Sequence, residues 1–198
     1  MGPKDKNRQK IIQAAFAAFA ENGYEKTSMD EIVKLSGLSK GTLYWHFKNK
    51  QALFIETLQF AFQEINQQLE GLVHLDMPAS DRLRIFYKQA SEFIVTGKNM
   101  IGMLIDAFFQ SYQNEEAQQF MLNMYKGYID SVSQIIQQGI DRGEFREVDP
   151  RITALALMAG GDGVAIYVLL DSEWDLEMAL NTVIDLILRG LKKEPDNQ

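Results

Sequence analysis

Apolar residues recur at spacings of three and four along most of the chain, the pattern of helices that bury one face. Ile11, Ile12, Ala15, Phe16, Phe19 and Ala20 make such a stripe over residues 8–22, and Asn22-Gly23 ends it. Leu53, Phe54, Thr57, Leu58, Ala61, Phe62, Ile65 and Leu69 make a second from Lys50 to about Leu72, with no proline and no glycine before Gly71. Asp76-Met77-Pro78 breaks the chain. Further helices are predicted over 79–95, with Leu83, Phe86, Tyr87, Ala90, Phe93 and Ile94 inward, and over 100–112, 114–141, 150–170 and 175–191. Gly97-Lys98-Asn99 and Gly143 mark turns, and Asp149-Pro150 sets a capping Asp before a proline at the first helical position. Residues 150–170 are apolar around most of the circumference, as expected of a helix covered on more than one side. No strand alternation, repeat or low-complexity tract is present. The predicted fold is all-α, of about nine helices: a three-helix head over 1–49 and a larger body over 50–198.

The stretch from Thr27 to Leu53 differs from the rest. Ser28 and Glu31 have capping-box spacing, so each can bond the other's backbone N–H. Ile32, Val33 and Leu35 are expected against a core, and Gly37 stands where a helix ends with φ positive. Ser39 is a good N-cap for the short helix Lys40–Phe47, in which Leu43 and Phe47 share one face as core anchors. Thr42, Tyr44, Trp45 and His46 then project elsewhere. Asn49 caps the next helix, with Lys50 in its first turn. Helix, glycine-containing turn, helix is the helix-turn-helix arrangement, whose second helix enters the major groove. Gly41 allows close approach to phosphate, Thr42 and His46 can bond base edges or phosphate oxygens, and Lys40, Lys48 and Lys50 supply charge for phosphates. The alternative for Trp45 and His46 is a packed indole and a surface imidazole, and for Tyr44 simple packing.

Across residues 8–56 this segment resembles the DNA-binding region of the TetR family of bacterial repressors. Ile11, Ala14, Phe16, Gly23, Thr27, Ile32, Gly37, Leu38, Gly41, Tyr44, Phe47 and Lys50 sit where that family's pattern has them. Beyond about residue 60 the resemblance is one of length, helical content and segment order. It implies that Lys40, Thr42, Trp45 and His46 read or approach bases, beside Ser39 and Gly41. It also implies that Thr27, Ser28, Tyr44, Lys48 and Lys50 hold the DNA backbone, and that the last two helices pair with those of a second copy. The magnesium site of the tetracycline-binding members has no counterpart here.

The net charge is −7, which alone argues against nucleic acid. Its distribution reverses the point. Residues 1–50 hold nine Lys and Arg against five Asp and Glu, a balance of +4 that leaves −11 for the remainder. A basic head on an acidic body suits docking one end on DNA. There is no cysteine, which excludes disulfides and fits a reducing cytoplasm. No run of about 18 apolar residues predicts a membrane span. Two isolated histidines, His46 and His74, offer neither a zinc site nor a catalytic triad, so no enzyme, metal or cofactor is expected.

The body is rich in Met and aromatic residues, a lining that adapts to apolar ligands. Phe86, Met103, Phe108, Phe109, Tyr112, Phe120, Met121, Met124, Tyr125, Tyr128 and Tyr167 are the candidate set; each alone reads first as core, and it is the family resemblance that implies a cavity for the set. Asp106 and Asp162 lie in apolar helices, where a carboxylate must be paired or protonated. Each reads first as a helix-end or interface hydrogen bond and second as the counter-charge of a cationic effector. Gly160-Gly161-Asp162-Gly163 places three glycines in one turn, consistent with close helix approach or a kink. The expected protein is a cytoplasmic, nucleoid-associated homodimeric repressor that binds a pseudo-palindromic double-stranded operator and is released by a small, largely apolar effector. The second reading is a ligand sensor of the same fold that acts through a protein partner.

Overall fold

The computed structural model describes residues 3–96, 100–170 and 173–193, so the expected turn at 97–99 and the tail from 194 lie outside it, as do the side chains of Phe93 and Ile94. The described residues form helices joined by short connections: α1 (Pro3–Lys26), α2 (Met29–Ser36), α3 (Lys40–His46), α4 (Lys50–His74), α5 (Ala79–Thr96), α6 (Met100–Gln113), α7 (Glu115–Asp141), α8 (Pro150–Leu170) and α9 (Leu176–Leu191). The fold is all-α with an N-terminal helix-turn-helix. By backbone proximity the chain divides into two compact units, residues 1–64 with 97–122, and residues 65–96 with 123–198. The α4 helix contributes residues to both without a break.

Local chemistry sets the helix ends. Ser28 Oγ accepts from the Glu31 N–H at 3.1 Å, and a Glu31 oxygen accepts from the Ser28 N–H at 3.4 Å. Gly37 takes φ 66°, the left-handed region that closes α2. Asn49 Oδ1 accepts from the Ala52 N–H, Asn114 Oδ1 from those of Glu116 and Ala117, and Asp149 Oδ1 from those of Arg151 and Ile152. The first helix is longer than its apolar stripe, because a charged lead-in from Pro3 and a last turn after Gly23 extend it. Gly23 nonetheless breaks the helical path, with φ 78° and ψ 168°.

In the first unit the core comes from Ile11, Ala15 and Phe19 of α1, Ile32 of α2, Leu43 of α3, Phe47, and Leu53, Phe54 and Leu58 of α4. Phe19, Tyr24 and Phe54 form a ring cluster with centroids 4.8–5.9 Å apart. Leu35 departs from expectation: it is 57% exposed, although it lies one turn from the fully buried Ile32. In the second unit α9 packs against α5 and α8, burying Leu180, Ile184, Leu188 and Leu191 with Leu83, Phe86, Tyr87, Ala154 and Leu157. The α8 helix has a second face that the described residues leave open, carrying Ile152, Leu155, Ile166, Tyr167 and Leu170, each close to half exposed or more. The window Pro150–Val168 is long and apolar enough by length and composition to cross a bilayer, which corrects the expectation that no segment of this chain would be, and only 17% of it is buried. The count of consecutive apolar residues missed it because three glycines, Thr153, Arg151 and Asp162 interrupt a window whose average is still apolar.

Candidate nucleic-acid interface and effector cavity

Leu43 is fully buried and Phe47 nearly so, which fixes the roll of α3 and turns its other sides outward. Trp45 is 64% exposed and Tyr44 45%, high values for large aromatics. Lys40, Gly41 and Lys48 are exposed beside them, as are Ser28 and Ser39. Ser39 Oγ accepts from the Thr42 N–H at 3.1 Å and lies 2.8 Å from the Thr42 hydroxyl, so the N-terminal turn of α3 is organised by its own hydroxyls. The Lys4 ammonium stands 5.1 Å from the Trp45 ring centroid, and the Arg8 guanidinium 5.6 Å from that of Phe47. The N-terminal cations thus gather at the exposed side of α3. His46 packs edge-on against Trp45. Burial, with Arg8 and Lys4 nearby, lowers its pKa, so the imidazole is neutral at neutral pH. A neutral ring donates from one nitrogen and accepts at the other.

Acidic partners hold several of these cations in place. Lys40 pairs with Asp30 at 2.7 Å, Lys48 with Glu116 at 3.3 Å, and Arg8 with Glu56. Such exposed pairs contribute little to stability and exchange readily for a phosphate. Two residues expected at the DNA backbone are placed otherwise. Thr27 is 2% exposed, and its hydroxyl is directed to the carbonyls of Gly23 (2.8 Å) and Ala18 (3.1 Å). Lys50 Nζ donates to the carbonyls of Tyr24 (2.8 Å), Thr27 (3.1 Å) and Glu25 (3.3 Å), and lies 4.3 Å from the Tyr24 ring centroid. The chain reversal after Gly23 leaves those carbonyls without helical partners, and Lys50 supplies the donors. Both side chains are thereby engaged within the unit, and neither is free to meet a phosphate in this conformation.

The same reversal explains Asp106. Its carboxylate accepts from the Tyr24 N–H at 2.7 Å and ties α6 to the end of α1. The hydrogen-bond reading of Asp106 is the one realised. Among the other expected effector residues of the first unit, Met103 and Met121 are buried, whereas Phe108, Phe109 and Tyr112 are each more than half exposed.

In the second unit, Phe86, Tyr87, Ala90, Met158, Gly161, Asp162 and Leu180 line a small cavity of about 60 Å³. The Tyr125 hydroxyl donates to the Asp162 carboxylate. The Tyr87 hydroxyl donates to the Leu157 carbonyl. Tyr128 is 9% exposed and its hydroxyl has no hydrogen-bond partner. Burial pushes the pKa values of Tyr87, Tyr125 and Tyr128 upward, with further contributions from the Asp162 charge. Burial also raises that of Asp162, against the opposing hydrogen bond from Tyr125. Phe86, Tyr125, Tyr128 and Asp162 are thus brought together from the expected set; Met124 is half-buried in the same unit and Tyr167 is exposed. Tyr87 was legible only as an inward position of α5, because nothing in its spacing distinguishes a core ring from a cavity wall. Gly161 lies beside it: a Cβ there would stand 3.4 Å from the Tyr87 hydroxyl oxygen, at contact distance.

Asp162 carries a pH signature. A carboxyl whose folded-state pKa lies above its ordinary 3.8 keeps its proton while the unfolded chain loses it, so stability falls as pH rises from that value through the raised one, then levels. Asp162→Asn is expected to melt with the wild type in strong acid and above it near neutrality, measured by circular dichroism across that range.

Comparison with known proteins agrees with this geometry. Residues 11–57 match the family model for bacterial regulatory proteins of the tetR family, and residues 76–191 that for the tetracyclin repressor-like C-terminal domain. The fatty acid metabolism regulator protein of Bacillus subtilis is 26% identical over 193 residues, 96% of this chain and 98% of that one. The regulator QacR of Staphylococcus aureus is 26% identical over 94% of this chain and 98% of its own. The crystal structure of the regulator FadR from Bacillus subtilis in complex with stearoyl-CoA superposes with a TM-score of 0.77 at 25% identity, covering 92% of this chain and 98% of that one. The chain belongs to the tetR family of bacterial regulatory proteins: it is a DNA-binding transcriptional regulator and not an enzyme.

Proposed function

We propose that the protein is a homodimeric repressor that occupies a pseudo-palindromic operator and leaves it when a small, largely apolar effector enters the second unit. The observation that carries this reading is the outward face of α3, where Tyr44 and Trp45 stand exposed among Lys4, Lys40 and Lys48. Lys40, Thr42, Trp45 and His46 read or approach base edges, and Gly41 allows the backbone close to a phosphate. Ser28, Ser39, Tyr44 and Lys48 hold phosphates, with Lys4 and Arg8 in support. Thr27 and Lys50 position the turn that carries them. The functional division is a reading head of 1–49 and a sensing and pairing body of 50–198, with α4 continuous across it.

Dimerisation is supported by the open apolar face of α8, which a second copy covers, and by the geometry of operators that present two half-sites about one helical turn apart. Effector control is supported by the partly buried polar cluster around Asp162, and by relatives whose structures hold ligands, stearoyl-CoA and triclosan among them. The cavity of about 60 Å³ is well below the volume of a drug-sized ligand site. Binding of such an effector requires this cavity to widen. The effector prefers a state with displaced reading helices, and the affinity lost on DNA equals its preference between the two states. The protein acts in the cytoplasm, at the nucleoid.

The test is selection of sites from fragmented genomic DNA, followed by fluorescence anisotropy at two salt concentrations. Two protomers per selected duplex and a steep salt dependence are expected. Trp45→Ala with Tyr44→Phe should weaken the selected site by about a hundredfold, the value of a few lost base and phosphate contacts, while the fold is kept. No selected sequence, or equal binding to scrambled duplex, would leave the protein-partner reading in its place.

A further inference from the structure

The polar cluster inside the second unit is out of balance. Asp162 brings a carboxyl into an apolar site between Phe86, Met158 and Leu180. Its partner is the neutral hydroxyl of Tyr125, and no ammonium or guanidinium of the described residues contributes to its charge state. The Tyr87 hydroxyl is engaged with the Leu157 carbonyl, and the Tyr128 hydroxyl, nine-tenths buried, has no partner at all. A core selected for stability alone would not hold an acid without a cation, since such a group costs more than an apolar side chain of the same size. The rings of Phe86 and Tyr87 line the cavity beside it, and Tyr125 and Tyr128 lie close enough to feel its charge. The negative faces of such rings attract a cation, most strongly where water is excluded.

We infer that the effector carries a cationic nitrogen, seated between the Asp162 carboxylate and the rings of Tyr87, Tyr125 and Tyr128. This rests on the proposed reading that the second unit binds an effector, and it names the chemical class: an amine or quaternary ammonium on an apolar body. A cavity of about 60 Å³ holds one small group such as an alkylammonium head. The apolar remainder has a place nearby. A groove of about 410 Å³ between α5 and α9 shares Tyr87 and Leu180 with the cavity as lining residues, so these two side chains form the wall between them. That groove falls in the size range of ligand sites. Its own cations do not make it an anion site: Arg84 is paired with Asp185, Lys88 lies 3.8 Å from Glu92, and Glu177 adds a further acid. Movement of Tyr87 and Leu180 joins groove to cavity.

The experiment is isothermal titration calorimetry of the full chain, without DNA, with three probes of one chain length: n-decylammonium, n-decanol and n-decanoate, each below its micelle concentration. Decylammonium is expected to bind about tenfold or more tighter than decanol, the advantage of a charge-assisted contact over a neutral one, and decanoate more weakly than either. Asp162→Asn should erase the preference for the cation while leaving decanol binding in place. Tyr128→Phe keeps the charge and fold, and should weaken decylammonium severalfold with little effect on decanol; it serves alone if Asp162→Asn does not fold. Absence of decylammonium binding, equal binding of the three probes, tighter binding of decanoate, or a cation preference unchanged in the variants that fold would each overturn the inference. The readout is independent of DNA. Cation binding that fails to release a selected operator would therefore count against the proposed repressor mechanism, not against the cation site.

Discussion

Replacing Leu155 and Leu186 together by glutamate is expected to convert the protein to a monomer and to lower operator affinity by about a thousandfold. Leu155 on α8 is 50% exposed and Leu186 on α9 is 64% exposed, and neither supports the interior of its own unit. Their faces are apolar well beyond these two positions. Ile152, Ile166, Tyr167 and Leu170 continue the α8 face, and Met178 lies two turns before Leu186 on the same side of α9. A surface this apolar is covered in a functioning protein. At a two-fold interface each substitution is made twice, so the change sets like charges against each other in a site that excludes water. Each reading head then binds its half-site alone and loses the gain from linkage, which for two coupled sites is of that order. Sedimentation velocity reads the first effect and anisotropy on the selected duplex the second. A dimer that persists at micromolar concentration would place the pairing surface elsewhere.

The second large effect concerns stability. Gly139→Ala is expected to lower the thermal midpoint by about 5–10 °C, although alanine is the better helix former by about 1 kcal/mol. A Cβ at position 139 would fall 2.4 and 2.6 Å from ring carbons of Phe145 and 2.9 Å from the Ala79 Cβ. These are not flexible ends. Phe145 is 3% exposed and Ala79 fully buried, and the Gly139 carbonyl accepts the N–H groups of Glu144 and Phe145 at 2.8 and 3.1 Å. Glu144 in turn accepts from the Ala79 and Ser80 N–H groups at the start of α5, so displacement of the 143–145 turn would loosen that helix too. Overpacking of this kind costs about 3 kcal/mol or more, against which the propensity gain is small. Gly127, in the same helix with open space where its Cβ would be, is the internal control, and Gly127→Ala should raise the midpoint slightly. Differential scanning calorimetry of the two variants separates sterics from propensity. A stabilised Gly139→Ala would mean that the 143–145 turn gives way freely.

The contrast between these glycines shows where sequence reading stops. All helix interiors look alike to a pattern of three and four, and a glycine in one reads as a propensity defect. Whether an aromatic ring from beyond the next turn fills the missing side chain's space depends on contacts that no local pattern encodes. The same holds for Asp106 and Asp162, two acids in apolar helices that are indistinguishable by spacing. One meets the Tyr24 N–H left over by the break at Gly23, and the other faces a cluster of tyrosine hydroxyls. Lys50 and Thr27 show the limit within the reading head itself. A lysine and a threonine beside a helix-turn-helix suit phosphate chemistry, yet the chain reversal after Gly23 exposes carbonyls that claim both.

What the amino-acid sequence determined by itself is what short-range physics decides. The helical period, the capping box of Ser28 and Glu31, the left-handed Gly37, the Asn49 and Asp149 caps and the Leu43–Phe47 anchor pair each depend on residues within a few positions of one another. Together they specify an all-α chain with a reading helix near its start, and the split of charge between residues 1–50 and the rest follows from counting. Tertiary structure alone decided which of the buried polar groups are satisfied and which are left over. It turned Leu35 outward, tied α6 to α1 through Asp106, and assembled Tyr87, Tyr125, Tyr128 and Asp162 from three separate helices. The reason is the range of the forces that fix each outcome. A cap or a periodic stripe is settled within a turn or two of helix, whereas the environment of a buried charge is set by whatever distant side chains the packing brings to it.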